Sequence, residues 1–174
     1  MAESRSRFSI QVDETTGTCP VGEKWAKQNI AEKVTPVLSC EGPCIRGDIA
    51  RLAANIVARE DGYARSCYAE VALVPHSSMA QWVKQAEKII MIDGCFLACI
   101  GRVLNNLVDE DKIIHIDALR LHKKYSDIFH MDDVPEAERK ATAQEVADKI
   151  LAQLRVITLP PSMPKKSAVV STNE

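Results

Sequence analysis

The chain has no run of about 18 apolar residues, so its sequence offers no membrane-spanning helix. Charge of either sign is not in excess: 22 Lys and Arg face 24 Asp and Glu, for a formal net charge of −2. That balance excludes the electrostatic footprint expected of a protein that binds nucleic acid or anionic lipid. Met1 to Thr15 lack the apolar core of a secretory signal, which predicts a cytoplasmic protein whose thiols stay reduced. The four histidines include no His-x3-His pair, so no histidine spacing of the metal-ligand kind is present. Cysteine is what the chain does have. Of its six, four fall where a strand is expected to end and a helix to begin, Cys40 and Cys44, then Cys95 and Cys99, and a fifth, Cys67, stands at the start of the second expected strand. Three disulfides would belong to a secreted and smaller protein; in a reducing compartment, clustered cysteines serve as ligands or catalysts.

A hydrophobic share of 46% with 26% charged residues is ordinary for a globular protein. The pattern divides the 174 residues into a polar N-terminal extension (1–34), a domain (35–159) and a polar tail expected to be disordered (160–174). The middle part, about 125 residues, is long enough to bury a core without covalent staples. Pro36 to Cys40 reads as a short buried strand. Ile45, Ile49, Leu52, Ile56 and Val57 recur at helical spacing and predict a helix from Ile45 to Arg59. A strand is expected over Tyr68–Val74 and a helix over Met79–Lys88. Ile89-Ile90-Met91-Ile92, apolar without alternation, suits a central parallel strand buried on both faces. A helix beginning near Phe96, a strand over Lys112–Ala118 and a long helix over Glu136–Val156 complete the pattern. Strands alternating with helices predict an α/β fold: a three-layer sandwich around a mainly parallel sheet of about four strands, Rossmann-like or flavodoxin-like.

In such sheets ligands bind beyond the carboxyl ends of the strands, where these thiols gather. Zinc takes about four ligands and thiolates are among its best donors; cysteines four apart can share one ion. The candidate metal ligands are therefore Cys40, Cys44, Cys67, Cys95 and Cys99, with zinc the expected ion and iron or an iron–sulfur cluster also compatible with the spacing. His76 could complete such a shell. A second reading is a reactive thiol: Cys40 and Cys95 are expected just before helix N-termini, where the dipole favours the thiolate, and Arg46 adds positive charge. A third is a metal-sensing or carrier module acting through a protein partner.

Cys40 to Arg46 spells C-x5-R and resembles the phosphate loop of low-molecular-weight tyrosine phosphatases and related arsenate reductases. The resemblance implies Cys40 as nucleophile, Arg46 as a bidentate oxyanion clamp and a general acid near Asp132. It departs from those enzymes at Gly47, where they carry Ser or Thr, and at Cys44, where the companion cysteine is displaced. A broader resemblance rests on Ile92-Asp93-Gly94-Cys95 with Cys99, on Ser39-Cys40-Glu41-Gly42-Pro43-Cys44, on Cys67, and on Gly47-Asp48-Ile49-Ala50-Arg51 with Ala53-Ala54-Asn55. These are similar to the DGC-domain family, named for its Asp-Gly-Cys motif, from about Val37 to beyond Pro135. The resemblance implies an α/β domain that binds zinc through chelating cysteines matching Cys40, Cys67, Cys95 and Cys99, with Cys44 joining them in the branch most like this chain. It implies no defined reaction. Phe96 stands where many members have Pro.

Other residues admit two readings each. Asp93 either caps the helix after it or orients a ligand and acts as a base. Arg46 and Arg51 are surface charges or anion clamps. His115 reads as packed and hydrogen-bonded within a strand, His122 and His130 as solvated, Trp82 as core or an edge anchor, and Cys19 as incidental.

Overall fold

Two apolar segments ahead of the cysteine loops set the centre of the fold. In a computed structural model of the chain, which describes residues 7–158, they form β1 (Thr35–Ser39) and β3 (Ile89–Asp93). The two pair in parallel, with Val37 beside Ile90 and Ser39 beside Ile92. β2 (Tyr63–Arg65) joins the free edge of β1, and β4 (Ile113–Asp117) joins β3, both in parallel. The order is therefore β2-β1-β3-β4. This is the flavodoxin-like arrangement, in which the direction of winding reverses between β1 and β3. The expected three-layer α/β sandwich is the observed one.

The two-residue period of the strands assigns the layers. Val37, Ile90 and Ile92 face α2 (Ile45–Val57) and α7 (Glu136–Thr158), packing with Ile49, Ala53, Val146 and Ile150. Leu38, Ile89 and Met91 face the other way, onto Ala26 of α1 (Pro20–Ala31), onto Met79 and Trp82 of α4 (Ser78–Gln85), and onto Leu104 of α5 (Cys99–Leu104). Ala50, Ala53 and Ala54, all buried on α2, leave room for α7 to lie close. Buried Asp48 ties these two helices, pairing with Arg51 at 2.6 Å and with Arg139 of α7 at 2.6 Å. Trp82 is core, and its indole N–H donates to the Val34 carbonyl at 2.9 Å.

Four elements differ from the sequence expectation. Tyr68–Leu73 is a helix, α3, instead of a strand; Ala, Glu and Leu favour that conformation, and Glu70 and Val71 form its buried face. The strand beside β1 is the shorter Tyr63–Arg65. The N-terminal region contains a full helix, α1, begun by Pro20 and capped by the Cys19 sulfur, which accepts from the Gly22 amide at 3.4 Å. The helix expected from Phe96 starts at Cys99, because Ala98 ahead of it adopts a left-handed conformation (φ 46°). Phe96 and Leu97 are consequently exposed loop residues. The tail expected to be disordered, 160–174, lies outside the described residues. Among the described residues no helix is long and apolar enough to cross a membrane.

His122 overturns its expected solvation. It ends α6 (Ala118–His122) and is buried, with Nδ1 accepting the Lys124 amide at 2.9 Å. Burial, followed by the Lys124 charge, pushes its pKa below the usual histidine value. The unfolded chain thus binds this proton more readily than the folded one. The stabilising effect of a neutral His122 is present above about pH 6.5 and is lost as pH falls below it. On going from pH 7.5 to 5.5, the urea midpoint of the wild type should fall relative to that of His122→Asn.

Candidate metal centre

Chemistry, not cavity size, locates the site. A cavity of about 510 Å³ is bordered by Thr35 and Tyr63 at the amino ends of β1 and β2 and contains no cysteine. The five thiols are at the opposite edge. Cys40 and Cys44 follow β1, Cys67 follows β2, and Cys95 and Cys99 follow β3. In sheet order these strands are consecutive, and the β1–β3 boundary is the position at which doubly wound sheets open a crevice.

Close backbone approach joins the β1 and β3 loops. A β-carbon at Gly47 would lie 2.4 Å from the Gly42 carbonyl oxygen, so the Cys40–Cys44 loop folds tightly over the first turn of α2. A β-carbon at Gly94 would lie 2.7 Å from the Arg46 carbonyl oxygen and 2.9 Å from the Gly47 nitrogen. Glycine at these positions lets the Asp-Gly-Cys segment rest on the same turn. Cys40 sits at the junction. Its amide donates to Ile92 at 2.9 Å, and the Gly42 and Gly94 amides, one from each loop, lie near its sulfur.

That position reverses the expected acidity of Cys40. Burial pushes the thiol above its usual value, the two amides oppose this, and neighbouring Asp93 and Cys44 push it further up. The expected placement also shifts. Cys44, Cys67 and Cys99 stand at the starts of α2, α3 and α5, whereas Cys40 and Cys95 each lie four residues upstream. The helix-dipole argument for an acidic Cys40 or Cys95 therefore does not apply to them.

A charged clasp unmarked in the sequence holds the other side. Arg65, at the end of β2, donates to the Val37 carbonyl at 3.1 Å and to the Glu41 carboxylate at 2.5 Å, and Glu41 also accepts from Ser39 at 2.8 Å. Arg65 thereby anchors the β1 loop to β2, beside Cys67. Arg51 pairs with Asp48 at 2.6 Å. Arg46 keeps a buried Nε without a hydrogen-bond partner.

Asp93 is fully buried at the end of β3. Its Oδ2 accepts from the Gly101 amide at 3.1 Å and lies 2.6 Å from Nε2 of His115, while its Oδ1 is buried without a partner. The first of these bonds reaches inside α5, and the second was invisible as a pattern because 22 residues separate the partners. The hydrogen bond to Asp93 pushes the His115 pKa above the usual value. His115 is hydrogen-bonded as expected, but its side chain is 43% exposed. It borders a cavity of about 420 Å³ with Phe96, Asp117 and Arg120. His76 is exposed in the α3–α4 connection and does not follow a strand. His130 is exposed, and its backbone bridges that of Cys44.

The structure thus brings Cys40 together with Cys44 and with the Asp93–Gly94 turn, and sets Cys67 beside Arg65. Among the described residues no three His, Cys, Asp or Glu side chains stand close enough to hold a metal ion. The donor chemistry nevertheless suits one: thiolates are soft ligands that favour zinc, copper(I) and iron–sulfur clusters.

The profile of the DGC domain matches residues 36–146, more than half of the chain. The chain belongs to the DGC-domain family. No curated protein and no solved structure matches it. Within the DGC domain, the matched span runs from β1 into α7 and includes all five strand-end cysteines, Asp93 and His115. Cys19 and all of α1 lie outside it.

Proposed function

We propose that this DGC domain binds one zinc ion at the carboxyl edge of its sheet. The candidate ligands are Cys40, Cys44, Cys67, Cys95 and Cys99, from which a four-coordinate ion draws its thiolates. One observation carries the reading: three loops bearing five thiols leave three adjacent parallel strands on the same edge and span the β1–β3 switch point. The arrangement around Cys40 supports it, since the β1 and β3 loops meet at this residue. Coordination would draw the thiols inward, and the exposed Phe96–Leu97 stretch between Cys95 and Cys99 supplies slack for that movement. Zinc held there would supply either a closed structural shell or, with three thiolates, an open position for water or a soft anion. A reducing, cytoplasmic setting keeps the thiols available. The exposed Phe96 and Leu97 beside the ligand loop are compatible with a metal sensor or carrier that acts through a protein partner.

The rival thiol-enzyme reading has one observation in its favour, the unpartnered Nε of Arg46 at the first turn of α2. Against it stand the burial of Cys40 and the adjacent Asp93, which disfavour a thiolate nucleophile. Arg46→Ala separates the two. Cobalt(II) titrated anaerobically into the reduced chain should give the same stoichiometry and sulfur-to-cobalt absorption in Arg46→Ala as in the wild type. A wild type without sulfur-to-cobalt absorption, together with phosphatase or arsenate-reductase turnover abolished by Arg46→Ala, would replace the metal reading with the enzymatic one.

A further inference from the structure

We infer that the segment Phe8–Val12 is a strand that pairs with the open edge of β4 in a second copy of this chain, so that two copies exchange arms. The inference concerns a different surface from the thiol cluster and does not depend on metal binding.

The arm is marked in the sequence. Arg7-Phe8-Ser9-Ile10-Gln11-Val12-Asp13 alternates polar and apolar residues without a break. A two-residue period sets Phe8, Ile10 and Val12 on one face of an extended chain, as in a half-buried strand. Aromatic and β-branched residues at those positions favour the same conformation. Within one copy this pattern has no partner. Phe8, Ile10 and Val12 are 82%, 76% and 56% exposed. Residues 8–13 belong to no strand or helix and make no hydrogen bond among the described residues.

The sheet offers one matching edge. β2 has only three residues, and the carbonyl of its last, Arg65, accepts the indole N–H of Trp25 at 2.9 Å. β4 has five residues and pairs with β3 alone. Among the described residues no other backbone bonds to Ile114, His115 or Ile116. Edge strands are ordinarily blunted by lysine, proline or a bulge, and Ile113-Ile114-His115-Ile116-Asp117 has no lysine or proline. A cavity of about 420 Å³ opens beside its carboxyl half, walled in part by Phe96, Ile116 and Leu121. An apolar side chain of an added strand fits such a place. Strand addition works in this way, with ladder hydrogen bonds giving affinity and side-chain pockets selecting the segment.

Reach favours a second copy over the chain's own edge. Seven residues, 13–19, join Val12 to α1, and fully extended they span about 25 Å. α1 lies at the opposite side of the sheet, where Trp25 bonds to β2 and Ala26 packs with Leu38 and Ala64. From β2 to a strand added beyond β4 is four strand spacings, about 19 Å in a straight line. The route must also pass around α4 and α5, which cover the same face of the sheet. An arm directed away from its own chain meets no such obstacle. Reciprocal exchange then makes a two-fold interface in which each copy gives one arm and receives one.

The test uses the full chain, reduced, in a sedimentation concentration series with hydrogen exchange measured on the same samples. The wild type should dimerise, and its outward β4 amides should exchange slowly. Ile10→Asp should dimerise about 10–100-fold more weakly, the equivalent of losing one buried apolar side chain. Its β4 amides should exchange faster while those of β1 and β3 stay unchanged. Ile10 touches none of the core, so this variant leaves the fold of each copy intact. A wild type that stays monomeric at every concentration would overturn the inference, and so would a dimer indifferent to Ile10→Asp. A monomer whose β4 protection depends on Ile10 would place the arm on its own chain and overturn the exchange.

Discussion

Cys40→Ser should weaken zinc binding by on the order of 100-fold. Structural zinc contributes about 10–16 kcal/mol to small domains, shared among about four ligands, so one thiolate accounts for roughly 3 kcal/mol. Serine keeps the shape of cysteine but offers a hard hydroxyl that does not ionise near neutral pH. The effect should be large at this position because Cys40 sits where the β1 and β3 loops meet, its amide held by Ile92 at the end of β3. Competition with a chromophoric chelator measures the affinity directly. An unchanged affinity in Cys40→Ser would remove Cys40 from the ligand set. Urea unfolding of the zinc-free protein should change much less, because the folded state already burdens this thiol with burial.

Gly94→Ala should destabilise the chain by about 1–3 kcal/mol, the usual range for forcing an extra carbon into packed structure. For a chain of this size that corresponds to a fall in Tm of roughly 2–12 °C. The added carbon would meet the Arg46 carbonyl oxygen at 2.7 Å, and that oxygen belongs to the first turn of a helix and cannot swing aside. The Asp-Gly-Cys segment must therefore lift away from the Cys40–Cys44 loop. Zinc affinity should fall together with stability, since the displaced contact is the one that sets the two ligand loops side by side. Thermal unfolding with and without added zinc would show both effects. A variant as stable as the wild type, with undiminished affinity, would mean that the loops do not depend on this junction.

The fold was legible where burial is complete. Ile89 to Ile92 and Val37-Leu38 are strands packed on both faces, and continuous apolarity marks such strands. The second strand was misplaced because Tyr68 to Val74 is the more apolar segment. The real strand is only Tyr63-Ala64-Arg65, chosen by its pairing with Thr35 to Val37, a long-range contact that no local pattern carries. The cysteine spacing brought the ligand loops into view, but not their junction. Gly47 and Gly94 gave no sign of which backbone each would touch. His115 looked like any strand histidine, since its partner Asp93 lies on the neighbouring strand. His122 looked like part of a polar connection, and its burial arises only when α6 folds into the structure. Arg65, which clasps the β1 loop, was one basic residue among 22.

Metal and thiol content, determined together on protein purified without oxygen, test the central claim most directly. The account predicts about one zinc per chain, with strand-end thiols that become reactive only after a chelator removes it. Protein without metal, whose six cysteines all react at once, would contradict a metal centre at the carboxyl edge of this sheet.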